Sequence, residues 1–287
     1  MGKYYYLITG LADISFDDVK APYTLDAFRE QVWSYISKKD RRIMDLLLLE
    51  TDCHNILSLL RDGELSSDAR MGLYTLAQME EMVAAVKADD RVETEHPFLP
   101  LFIKEYLSDE WQMQAGFAVD RILSMFYEYA MRSKNGFVSD WYRFNLDLNN
   151  IQSAFTARKY GLDIRSLIVG TGDVAEALRT SGARDWGLSQ EVNFFDEMAR
   201  IQEVEDLTQR EHSIDMLKWN WLDEKTFFHY FTVEILFSYM VRLGIIERWA
   251  LLDRDSGQRL FRRLIGGMKD QIEVPGEFRD VFDRPGR

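Results

Sequence analysis

Asp52, Cys53 and His54 stand side by side, and a carboxylate, a thiol and an imidazole are the donors a metal or a nucleophilic centre would use. Adjacent residues on a helix point in different directions, however, and only positions three or four apart share a face. The four histidines, His54, His96, His212 and His229, show neither H-x-x-x-H nor H-E-x-x-H spacing, which zinc sites on helices require. Gly170-Thr171-Gly172 lacks the downstream G-K-[ST] of a phosphate-binding loop and is predicted as a turn, with Asp173 capping the helix that follows. The acidic pairs Glu80-Glu81 and Asp89-Asp90 are adjacent carboxylates at helical ends, which face water unless a cleft perturbs them. No G-x-S-x-G motif is present. These residues predict no catalytic centre, no cofactor and no bound metal; a helical hydrolase with a carboxylate-and-histidine metal site is the enzymatic rival.

Composition narrows the classes further. A formal charge of −13 over 287 residues excludes nucleic acid as the expected partner, since phosphate binding relies on clustered Lys and Arg. The single cysteine cannot close an internal disulfide and suits a reducing compartment. No stretch of 18 apolar residues and no basic-then-apolar leader is found, so a cytoplasmic chain without a membrane span is expected. Only 5 prolines and 17 glycines interrupt the chain, which favours long helices.

The elements that must position these residues follow from periodicity. Tyr4–Gly10 reads as a short buried strand or extended segment. Thr24 opens a helix carrying Phe28, Val32, Tyr35 and Ile36, Lys38 to Arg42 is a charged break, and Arg41–Arg61 is a second helix stopped by Asp62-Gly63. Ser66–Asp89 is predicted as a helix with an apolar face of Met71, Leu73, Leu76, Met79, Met82, Val83 and Val86, which reads as core. Pro97 and Pro100 break the next stretch. Helices are expected over Phe102–Ser133, Ser139–Tyr160, Asp173–Thr180, Ser189–Arg200, Thr208–Leu222, Phe227–Trp249 and Ser256–Lys269. Most of the aromatic cluster from Trp219 to Tyr239 is predicted to pack, with one or two rings exposed at an interface. The expected organisation is a single all-α domain over 1–273, with a closing lobe at 208–269 and an extended or disordered tail at 274–287.

One pattern exceeds ordinary helical spacing. Residues 51–60, TDCHNILSLL, and 146–155, LDLNNIQSAF, align without gaps through Asp52/Asp147, Asn55/Asn150, Ile56/Ile151 and Ser58/Ser153. The offset is 95 (147 − 52; 150 − 55). Asp and Asn three apart share a helix face, and both are weak helix formers, so their placement implies a polar contact such as tying down a neighbouring loop. These residues are read as the structural motif of a lobe repeated at 40–64 and 139–161.

The phrase Leu146-Asp-Leu-Asn-Asn-Ile-Gln-Ser153, ending in Ala157-Arg-Lys-Tyr-Gly161, resembles the D-x-x-N-[IL] signature of the C/d family of collar subunits in V/A-type ATPases. The segment Phe231–Arg242 with Ile245-Ile-Glu-Arg248 is similar to that family's closing element. The resemblance implies helical-hairpin lobes around a pseudo-threefold axis. It also implies a non-catalytic collar on the cytoplasmic face of the inner membrane, with the central axle subunits and the membrane proteolipid ring as partners. A free-standing helical adaptor that binds an unrelated protein is the alternative.

Overall fold

The computed structural model describes residues 3–66, 70, 72–108 and 118–271, with side chains as far as residue 252. Twelve helices and no strand occur among them, so the fold is all-α. In chain order they are α1 (Tyr5–Thr9), α2 (Leu25–Trp33), α3 (Lys38–Asp62), α4 (Leu76–Lys87), α5 (Phe98–Tyr106), α6 (Ala118–Met131), α7 (Gly136–Tyr160), α8 (Ile164–Leu167), α9 (Asp173–Thr180), α10 (Phe195–Glu203), α11 (Leu207–Thr226) and α12 (Val233–Gln271). The expected tail at 274–287 and Met71 lie outside the described residues.

The long helices α3 and α7 organise the molecule. Each has 25 residues, begins at a capping side chain (Ser37 and Asn135) and ends at a left-handed glycine (Gly63, φ 77°; Gly161, φ 67°). A side-chain cap satisfies one orphan amide at the start, and glycine adopts the left-handed turn without a Cβ clash. Helix α6 packs on both α3 and α7, and α12 closes against α2, α3 and α11. The main core is a large apolar cluster with Phe28, Met44, Leu49, Phe102, Phe126 and Phe237 at its heart, and Trp219, Ile245 and Ile246 form a smaller one between α11 and α12.

Several boundaries differ from those the sequence predicts. Tyr4–Gly10 is neither strand nor extended: α1 is a helical turn tied to the body by Tyr4 N donating to Phe231 O at 3.0 Å, and no strand is at hand among the described residues to pair with it. The charged run Lys38 to Arg42 does not break the chain, because the Ser37 cap starts α3 there. Helix α4 begins ten residues later than expected, where Thr75 and Gln78 form a reciprocal capping box. Pro100 sits inside α5, in the first turn, where its missing N–H has no intrahelical partner to lose. Asp173 does not cap α9; Gly172 holds the cap position and the carboxylate lies in the first turn, where it still favours the helix dipole. The aromatic run Phe227–Thr232 is a turn before α12, which then continues through the expected gap to Gln271.

Candidate functional site

Asp52, in mid-α3, has no solvent exposure, and its two carboxylate oxygens accept from the amides of Leu73 (2.8 Å) and Tyr74 (3.3 Å). One turn on, Asn55 donates to Arg70 O at 3.0 Å, and Ser58 donates to Glu64 O at 3.1 Å. The polar face of α3 thus holds the return segment leading to α4. In α7, Asn150 does the same work on the segment leading to α9: its amide donates to Val169 O (2.8 Å) and its carbonyl accepts from Val169 N (2.9 Å). Ile56 and Ile151 are fully buried core residues.

The two asparagines matched in sequence therefore perform one task, but the matched aspartates do not. Asp147 is half-buried beside a cleft of about 730 Å³ with Asp173, Glu191 and Arg143, and ties down no loop. The helix ends explain why. Both caps and both glycine stops are 98 residues apart (135 − 37; 161 − 63), not 95. In that register Asp52 corresponds to Asn150, and each accepts a return-loop amide. Gly72 and Gly170 also stand 98 apart and each lies against the long helix: a Cβ on Gly72 would meet the Asp52 carboxylate, and one on Gly170 would meet Leu146. The spacing of these glycines is legible in the sequence and gives the same register.

Burial pushes Asp52 up to about 7, against the opposing pull of the two amides and Arg29; Asp147 is pushed up to about 6, again chiefly by burial, with Arg143 opposing. A carboxyl whose folded value lies above its unfolded value of 3.8 holds its proton better when folded. Its contribution to stability is full below about pH 4 and is lost as the pH rises through 7. Urea unfolding of wild type minus Asp52→Asn is expected to show a loss of about 2–3 kcal/mol between pH 5 and pH 8. A difference that stays flat over that range would show that the buried carboxyl is already ionised at pH 5.

A second gathering of polar groups has no signature in the sequence. A cavity of about 580 Å³ opens between α2, α3, α7, α11 and α12. Glu50 of α3 and Lys218 of α11 line it without a hydrogen bond or ion pair to any described residue. Burial raises the carboxyl of Glu50 and lowers the ammonium of Lys218, each opposed by the other's charge. The hydroxyl of Tyr142, also on the cavity wall, has no hydrogen-bond partner among the described residues. Buried charged and polar groups are normally satisfied, which sets this cavity apart from the rest of the interior. On the far wall Asp215 accepts from Arg248 and from Trp249 Nε1 (2.8 Å), joining α11 to α12. No single sequence window contains Glu50, Tyr142 and Lys218, so periodicity cannot find them.

Asp52, Cys53 and His54 do not converge: Cys53 is buried, and His54 is exposed. Among the described residues no group of three His, Cys, Asp or Glu is placed to hold a metal ion. His96 is instead hydrogen-bonded to the Tyr74 hydroxyl at 2.7 Å. No described helix is long and apolar enough to cross a membrane.

No curated protein and no solved structure matches this chain. A family model does match, over residues 1–272: the chain belongs to the family described as protein of unknown function DUF2764.

Proposed function

We propose that this chain is a non-catalytic central-stalk component of a V/A-type rotary ATPase, a collar that couples the soluble motor's axle to the membrane proteolipid ring. The observation that carries the reading is the correspondence of α3 and α7. Two capped, glycine-stopped helices of equal length, 98 residues apart, each lock a return loop with a buried Asn or Asp. That agrees with the repeated hairpin lobe which the likeness of 146–161 to the C/d collar family implies, and α11 with α12 would supply the closing lobe of a pseudo-threefold arrangement. The 580 Å³ cavity between these units, lined by Glu50 and Lys218, has room for a few side chains of a docking partner. A torque-bearing collar needs rigidity and docking surfaces and no chemistry of its own.

Affinity purification of the tagged chain from gently solubilised native membranes, followed by mass spectrometry, tests this. The expected result is co-recovery of catalytic, axle and ring components in matching amounts. Recovery of a different protein without ATPase components would replace the collar with a free-standing adaptor.

A further inference from the structure

The exposed aromatic side chains are not spread evenly. Phe228 (83%), Tyr6 (80%), Tyr35 (71%), Phe227 (67%) and Tyr230 (66%) are all strongly exposed. Hydrogen bonds place their segments at one end of the molecule. Tyr4 N donates to Phe231 O, and Ser37 N donates to the Tyr4 hydroxyl at 3.2 Å. Asn135 donates to Glu234 at 2.6 Å, and Phe137 lies against His229. The α1 turn, the α2–α3 junction, the start of α7 and the α11–α12 turn therefore share one pole. The remaining exposed aromatic ring among the described residues, Tyr160, is at the far end of α7.

The charge at this pole runs against that of the whole chain. Lys38, Lys39 and Lys134 are exposed and make no ion pair with any described residue, and Lys225 is exposed with Glu224 at 3.7 Å. The carboxylates facing them are mostly spent: Asp40 and Glu234 are largely buried and bonded to Lys3 and Asn135, and Asp223 pairs with Arg242. A protein of net charge −13 thus carries a local cluster of lysines around protruding rings. Rings of Phe and Tyr partition to the bilayer interface, and lysines nearby are drawn to anionic headgroups.

We propose that this pole is a docking surface for an anionic lipid bilayer, with Phe227, Phe228 and Tyr230 at headgroup depth and the lysines over the phosphates. Charge complementarity selects this occupant: Phe227, Phe228 and Tyr230 do not line the cleft that Lys39 and Lys134 border, and the unpaired lysines Lys38, Lys39 and Lys134 outnumber Asp140, the exposed acid without an ion pair at the start of α7. The central cavity is a separate feature: its first lining residue on α12, Met240, is seven residues from Val233, roughly 10 Å at the rise of an α-helix, and Phe227, Phe228 and Tyr230 do not line it. The inference stands on this surface alone and holds whether or not the chain serves a rotary ATPase.

Co-sedimentation of the purified full-length chain with vesicles of phosphatidylglycerol and phosphatidylcholine, against phosphatidylcholine alone, tests it. Binding is expected to the anionic vesicles and to weaken in about 0.5 M salt, a concentration at which screening reaches only about 4 Å. The triple substitution Phe227→Ser, Phe228→Ser and Tyr230→Ser is expected to weaken it about tenfold or more. Lys38→Gln with Lys39→Gln should cost about 25-fold, at about fivefold per lysine. All five positions are exposed, and unchanged circular dichroism and melting would show that both variants fold. No sedimentation of wild type with anionic vesicles, or sedimentation that both variants leave intact, would overturn the proposal; so would capture of the proteolipid ring in detergent by a pole that ignores lipid.

Discussion

Gly72→Ala is expected to cost about 3–5 kcal/mol and to lower the melting temperature by about 10 °C or more. The added Cβ would run into Asp52 Oδ1 and stand 2.6 Å from its Cγ, an approach that no pair of such atoms tolerates. Asp52 has no room to yield, because it is fully buried and its oxygens are engaged by the amides of Leu73 and Tyr74. Moving it leaves two amides and a carboxyl unsatisfied in the interior, each at about 1–3 kcal/mol. Differential scanning calorimetry gives the readout. The pairing with a second site sharpens the result: Gly72→Ala in an Asp52→Ala background should cost far less than in wild type, because the obstructing side chain is gone. Additive costs would mean that the glycine matters for backbone freedom and not for the carboxylate's approach.

Asp215→Ala is expected to destabilise by about 2–3 kcal/mol. Asp215 is nearly fully buried and takes hydrogen bonds from Arg248 and Trp249, so its loss strands two donors between α11 and α12. Removing one partner of a buried ion pair typically costs about 3–5 kcal/mol; the Arg248 side chain is 40% exposed, and the water it can recruit reduces the figure. Arg248→Met should cost less, and the double variant less than the sum of the singles, with a coupling of about 1–2 kcal/mol by urea unfolding. Zero coupling would assign the stability of this wall to the apolar packing of Trp219, Ile245 and Ile246 alone.

The aromatic pole illustrates how far pattern alone carries. The density of rings from Trp219 to Tyr239 is plain in the sequence, and packing of most of them is the expected outcome. Three of them, Phe227, Phe228 and Tyr230, are exposed instead of one or two. The turn between α11 and α12 decides this: Phe231 takes a left-handed φ of 55° and packs on Tyr5, which throws the preceding residues outward. Periodicity reads a helix through that stretch because each ring individually suits a buried face.

What the amino-acid order determined by itself is the class of the molecule and the inner logic of its long helices. Scarce proline and glycine, apolar spacing of three and four, and the stops at Gly63 and Gly161 are local properties, carried by backbone dihedrals and side-chain caps within a few residues. The Asp–Asn spacing also implied a polar contact, which Asp52, Asn55 and Asn150 make and Asp147 does not. Tertiary structure alone decided which partners those side chains meet. It chose between the two registers the sequence offers, 95 by the Asp–Asn letters and 98 by the glycines, because helix ends and return loops, not identical letters, must superpose in space. It also brought Glu50, Tyr142 and Lys218 around one cavity, and five exposed rings with their lysines to one pole. Such groupings join residues far apart in the chain, and only the packing of helices, driven by burial of apolar faces that carry no record of their partners, brings them together.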